Sequence, residues 1–186
     1  TAVSENLRQE TLNHFKIVKP IEVIHNFVDT ARFRRKPIDA FRQVLAPKGE
    51  KILVHASNFR KIKRVQDVVR IFAAVRAEVP SKLLFIGDGP ERSTAEELSR
   101  ELGVFDCVRF VGKQDQIEDI LSIADLFLLT SEYESFGLAA LEAMAAGVPV
   151  ISTEAGGLGE VNIDGKTGYT CAVGDVAGMS AHAIEL

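Results

Sequence analysis

Residues 126–151 read Leu126-Phe127-Leu128-Leu129-Thr130-Ser131-Glu132-Tyr133-Glu134-Ser135-Phe136-Gly137-Leu138-Ala139-Ala140-Leu141-Glu142-Ala143-Met144-Ala145-Ala146-Gly147-Val148-Pro149-Val150-Ile151. The first four residues are apolar without alternation, which predicts a short strand buried on both faces. Gly137 to Ala146 is rich in Ala and Leu and reads as a helix, with Gly147 suited to end it. Val148 to Ile151 is a second apolar run. A strand, a covering helix and a second strand make a parallel pair with a right-handed crossover.

The same alternation continues on both sides. Lys51 to Ala56, Leu83 to Ile86 and Val108 to Val111 read as strands. Lys63 to Val79 reads as a helix with Val65, Val68, Val69, Phe72 and Val75 along one face. Pro90 suits the first turn of a helix running to Leu102, and Gly103 its C-terminal cap. Ile117 to Ile123 is a short helix, Gly165 to Thr170 a turn leading into a strand, and the chain from Val176 is helical. Ahead of these, Ser4 to Lys16 has helical character with Ser4 as an N-cap. Ile21 to His25 is a short β-branched strand, and Arg32 to Pro37 is a basic stretch read as a linker. The fold class is α/β: an open, doubly wound parallel sheet. Ligands in such sheets bind beyond the carboxyl ends of the strands. That rule selects the loops Ser57–Lys63, Gly87–Pro90, Val111–Gln114, Ser131–Leu138 and Ser152–Glu160.

Composition narrows the classes. The 186 residues are 46% hydrophobic and 26% charged with a net charge of −4, ordinary globular values that argue against disorder and against a nucleic-acid partner. No run of ~18 apolar residues is present to span a membrane. Cys107 and Cys171 form no CxxC pair and are expected as reduced thiols in a cytoplasmic protein. Thr1 opens the chain without signal-peptide features, and Leu186 falls inside a predicted helix, so the chain is read as a piece of a longer protein.

Several signatures fail. Gly87-x-Gly89 is followed by Arg92 where the dinucleotide fingerprint needs Gly, and Glu160 stands where a phosphate loop ending in Gly165-Lys166-Thr167 needs one. No Asp-x-Asp offers itself to a metal-bound nucleotide sugar, so no metal and no cofactor are expected. The scattered His14, His25, His55 and His182 are read as structural.

What remains carries chemistry. Phe136, Gly137 and Leu138 open a helix, where N–H groups lack intrahelical acceptors and favour an anion. Glu134 and Glu142 flank that site at Glu-x₇-Glu spacing. Carboxylates do not bind phosphate; they accept from hydroxyls. A phosphate site between two hydroxyl acceptors implies a sugar nucleotide. The plain alternative is a pair of solvated acids at a helix start. Ser57-Asn58-Phe59-Arg60-Lys61-Ile62-Lys63-Arg64 places four cations in one loop and helix start. Cations are unfavourable at a helix N-terminus, and a diphosphate would offset them; a solvated basic loop is the alternative.

These residues together resemble the C-terminal, Rossmann-like half of the retaining GT-B glycosyltransferases of family 4. The match runs through Gly87-Asp88-Gly89-Pro90, Val111-Gly112, Ala124-Asp125, Glu134-Ser135-Phe136-Gly137, Glu142 to Val150, and Gly156-Gly157…Glu160. Ser57 to Arg60 and Ser131 to Gly137 look like the branch that joins N-acetylglucosamine to L-malate in bacillithiol biosynthesis. The resemblance implies a UDP-sugar donor and a small-molecule acceptor. It implies Glu134 beside the donor sugar, and amides of Phe136, Gly137 and Leu138 on sugar and phosphate. Glu142 would hold the ribose hydroxyls, Arg60 and Lys63 the diphosphate, Gly87, Asp88 and Gly89 further donor contacts, and Val111, Gly112 and Lys113 the uracil. Where much of the family has Gly-Arg, this chain has Ser57-Asn58, so Lys63 fits the pattern better than Arg60. The resemblance also divides the chain: residues 1–36 as the end of an N-terminal domain with its linker, and 37–186 as the donor domain, cut at its C-terminus. A UDP-sugar epimerase of the same architecture and a non-catalytic nucleotide-sugar module remain alternatives, and a homo-oligomer is left open.

Overall fold

A computed structural model describes residues 1–37 and 39–186. Its elements alternate along the chain: α1 (Glu5–His14), α2 (Asp39–Leu45), β1 (Lys51–Ala56), α3 (Val65–Glu78), β2 (Ser81–Ile86), α4 (Arg92–Glu101), β3 (Val108–Gly112), α5 (Ile117–Ile123), β4 (Leu126–Leu129), α6 (Leu138–Ala145), β5 (Val150–Thr153), β6 (Gly168–Cys171) and α7 (Val176–Glu185). The six strands form one sheet in the order β3-β2-β1-β4-β5-β6, every pairing parallel. Strand order therefore reverses between β1 and β4, where Leu53 pairs with Leu126 and Val54 with Phe127.

The unbroken apolar runs follow from two-sided burial. Successive side chains alternate between faces, so Phe127 and Leu129 join Val54, Ala140 and Ala143 on one side. Leu126 and Leu128 join Val68, Phe72 and Met179 on the other. Each fully buried Leu, Val or Phe contributes roughly 1.5–3 kcal/mol. Four-residue strands suffice because both faces contribute.

The differences from the expected elements have local causes. The helix expected from Lys63 begins at Val65, after a single 3₁₀ turn at Lys61–Lys63 and a left-handed Arg64 (φ 48°). The Thr130 hydroxyl sits 2.9 Å and 3.1 Å from the Lys63 and Arg64 carbonyls, taking acceptors a helix would use. Pro90 precedes the helix start, since α4 begins at Arg92 after a cap at Glu91. The expected strand Ile21–His25 is reduced to one bridge, Ala2 with Val23, because no longer strand lies beside it. Strand β5 starts at Val150 rather than Val148.

The basic stretch around residues 32–42 is an ionic strap over α5. Arg35 donates to the carbonyls of Ser122 and Ala124 at 2.8 and 2.7 Å, and Arg42 to that of Ile123. These cations satisfy acceptors that a helix C-terminus leaves orphaned. Arg32 pairs with Glu118, Lys36 with Asp119 and Arg42 with Asp125.

Candidate functional site

A cleft of about 530 Å³ opens beyond the carboxyl ends of β1 and β4, lined among others by Ser57, Asn58, Lys63, Glu134, Gly137 and Leu138. It lies where the strand order reverses, the position that the topology of doubly wound sheets assigns to ligands. It is one of several hollows on the molecule; two others, at the opposite ends of the strands, are lined by residues such as Gly165–Tyr169 and Ala183–Leu186.

The first wall follows β1. His55 is fully buried; its Nδ1 lies 2.9 Å from the Leu128 carbonyl and its Nε2 2.8 Å from the Ser57 hydroxyl. A carbonyl can only accept, so Nδ1 carries the proton and Nε2 accepts from Ser57. Ser57 Oγ in turn accepts from the Phe59 N–H at 3.2 Å. Phe59 is wholly buried with a left-handed backbone (φ 37°), a conformation costly for an aromatic residue. Two glycines press on this turn from β2. A Cβ on Gly87 would stand 1.8 Å from the Ser57 carbonyl oxygen, and one on Gly89 2.1 Å from that of Asn58.

The second wall follows β4. Glu134 Oε1 accepts from Lys63 Nζ at 2.5 Å and from Ser131 Oγ at 2.8 Å. Both members of this ion pair are largely shielded, with side chains 18% and 16% exposed. Nζ keeps two further donors for a ligand, and Glu134 Oε2 has no hydrogen bond among the described residues. Gly137 caps α6 in a left-handed conformation (φ 98°) with no side-chain cap, leaving the N–H groups of Gly137, Leu138 and Ala139 without acceptors among the described residues. The glycine-rich segment behind β5 braces this wall. Gly157 N–H donates to the Glu134 carbonyl at 2.8 Å, and a Cβ on Gly156 would come within 2.1 Å of that oxygen.

The structure thus brings Lys63, Glu134, Gly137 and Leu138 to one hollow, with Phe136 buried just behind. Glu142 lies a turn into α6, half-buried and without a hydrogen bond among the described residues. Burial raises its carboxyl above the usual range, the Arg32 charge pulls it back, and Glu118 raises it. Glu142 does not line the cleft beside Glu134. Arg60 is exposed at the outer end of the 3₁₀ turn. Gly87 and Gly89 pack against the Ser57–Phe59 turn, and Asp88 Oδ1 accepts from Gly89 N–H. Val111 and Gly112 end the edge strand β3 and Lys113 follows it, two strands from the cleft; the Val111 carbonyl is taken by Gln114 Nε2 at 2.6 Å. Ser57 and Asn58 also line the cleft; the loop they open is expected to face a ligand from its position after β1, but the sequence assigns neither residue a role of its own.

Comparison with known proteins agrees with this geometry. The profile of the family described as Glycosyl transferases group 1 matches residues 38–186. N-acetyl-alpha-D-glucosaminyl L-malate synthase of Bacillus anthracis is 49% identical over all of this chain and 49% of its own length. Glycogen synthase of Mycobacterium tuberculosis is 38% identical over 87% of this chain and 38% of its own length. The chain therefore spans about half the length, or less, of the curated relatives it matches. Among solved structures, HepE of Anabaena in complex with UDP superposes with a TM-score of 0.86 at 25% identity, over 99% of this chain and 53% of that one. With its profile match, its relatives and its reversed parallel sheet in accord, the chain belongs to the group 1 glycosyltransferases.

Proposed function

We propose that this chain carries the donor half of a retaining glycosyltransferase that moves N-acetylglucosamine from its UDP conjugate to L-malate. The observation that carries the reading is the Lys63–Glu134 pair, held at 2.5 Å in a cleft whose floor is a row of acceptor-free amides. The 49% identical malate synthase supports the donor sugar and acceptor, and the UDP held by HepE supports the nucleotide.

The chemistry follows from charge. Cleaving the anomeric C–O bond leaves an oxocarbenium-like sugar and puts negative charge on UDP. Lys63 and the Gly137–Ala139 amides are donors for that charge, so the reading calls on no metal. Donor binding exchanges the resting ion pair: Lys63 turns to the diphosphate, and Glu134 accepts from sugar hydroxyls. Glu142 takes the ribose hydroxyls, the 111–113 segment borders the uracil, and Arg60 adds positive charge at the rim. The acceptor attacks from the face the leaving group vacates. In this reading residues 1–36 join the donor domain to the remainder of the enzyme.

The test is mass spectrometry of the product formed by the full-length protein from UDP-N-acetylglucosamine, with and without L-malate. A malate glycoside is expected in the sample with L-malate; its absence, with an isomeric UDP-sugar resolved by chromatography before the mass measurement in both samples, overturns the reading. Lys63→Ala should lower kcat by about 10²-fold or more, the scale of losing one oxyanion donor, with the folded state retained by circular dichroism. Glu142→Ala should weaken UDP binding about tenfold, as for one charged hydrogen bond; unchanged affinity by calorimetry removes Glu142 from the donor site.

A further inference from the structure

The loop bearing Glu134 is gripped by the chain's first 25 residues, more than 100 positions away in sequence. Ser4 does two things with one hydroxyl. It accepts from Leu7 N–H at 3.0 Å as the N-cap of α1, and it donates to the Ser135 carbonyl at 2.6 Å. Tyr133, two residues earlier, donates its hydroxyl to Glu10 Oε2 at 2.6 Å. Phe136 meets the His25 ring at a tilt of 31°, with centroids 5.8 Å apart. Glu160 closes the clamp, accepting from Glu5 N–H at 2.9 Å and Asn6 N–H at 2.8 Å. These are two of the orphan donors at the start of α1. The junction is close: a Cβ on Gly157 would meet the Ser135 oxygen at 2.5 Å and Ser4 Oγ at 2.9 Å. Glu134 is flanked by Tyr133 and Ser135, both held by α1, while its own carboxylate reaches into the cleft for Lys63.

We infer that Ser4 and Tyr133 are positioning residues for Glu134: through them α1 sets the loop that faces the ligand. Neither lines the cleft, so each acts through the loop. The inference rests on the donor-site reading above for its consequence on ligand binding, though its geometric half does not.

The experiment measures two quantities on Ser4→Ala and Tyr133→Phe. Hydrogen–deuterium exchange of the Glu132 and Gly157 amides, which bond the Ile62 and Glu134 carbonyls, is read without ligand and reports the loop; calorimetry with UDP reports its use. One neutral hydrogen bond corresponds to roughly a threefold to tenfold effect. Each variant should speed exchange at Glu132 and Gly157 by at least threefold, leave β1 and β4 protected, and weaken UDP binding threefold to tenfold. A merely structural role would speed exchange throughout the domain and leave the affinity of the folded protein unchanged. Unaltered exchange at Glu132 and Gly157 in both variants overturns the inference, as does faster exchange with UDP affinity within twofold of the parent. If the parent itself fails to bind UDP, the donor-site reading falls while the exchange result still decides the positioning role.

Discussion

At the residue scale, His55 ties stability to pH. It has no exposed surface, and desolvation pushes its pKa down to about 4 despite the opposing bond to the Leu128 carbonyl; the Lys63 charge lowers it further. The unfolded chain regains an ordinary imidazole near 6.5. Between those values the unfolded state takes up a proton that the folded state refuses, so stability falls as pH drops from about 6.5 and levels off near 4. The integrated loss is on the order of 3 kcal/mol. Urea midpoints at pH 7.5 and pH 5.0 should therefore differ in the parent. In His55→Gln, whose amide can donate to Leu128 and accept from Ser57 without titrating, the difference should shrink; an equal difference would place the acid sensitivity elsewhere. Gly87 is a second single-residue constraint. Its φ of 113° and the Ser57 oxygen 1.8 Å from any Cβ make Gly87→Ala a strain and a clash together. A loss of at least about 2 kcal/mol is expected, read as a fall in melting temperature, with displacement of the Ser57–Asn58 wall.

At the element scale, legibility tracked burial. Lys51–Ala56 and Leu126–Leu129 lie where the pattern placed them, because two-sided burial writes a largely apolar run. Ile21–His25 carries equal β propensity and is no strand, since propensity without a neighbour gives no ladder. Helix α2 escaped notice: Phe41 and Leu45 pack on the core, but the Arg and Gln between them hide the period. The Arg64 turn was invisible because Thr130, its hydrogen-bonding partner, is 66 residues away. The charges of Arg32 to Pro37 read as a linker for the same reason: their acceptors lie on and around α5. Arg42 tests that strap. It spans the Ile123 carbonyl and the Asp125 carboxylate, and Asp125 also accepts from Ile52 N–H at 2.8 Å. Arg42→Ala should lower stability by about 1–3 kcal/mol through the acceptors left without a partner. Arg34→Ala, which makes no hydrogen bond or ion pair among the described residues, should stay within about 0.5 kcal/mol. Equal urea midpoints for the two variants would reduce the strap to a solvated loop.

At the scale of the whole molecule, the site is a product of topology. Lys63 and Glu134 are 71 residues apart and meet because β1 and β4 are neighbours at the reversal of strand order. Spacing and charge single out Lys63, Glu134, Gly137 and Leu138, which share one hollow, but give no sign that Glu142 lies outside it or that α1 braces the loop. Those facts depend on contacts between distant segments, for which a local pattern carries no signal. Lys63 and a row of amides without acceptors among the described residues line the cleft, yet this chain covers about half the length of the relatives it matches. Transfer requires donor and acceptor to be held together in near-attack geometry, an arrangement worth several kcal/mol of the barrier. The expectation is that the 186-residue chain by itself binds UDP weakly and forms no glycoside from UDP-N-acetylglucosamine and L-malate. Calorimetry with UDP and mass spectrometry of an overnight reaction check both halves. Measurable malate glycoside from this chain alone would mean that an acceptor site is complete within it, and the division of labour inferred for the longer enzyme would have to be abandoned.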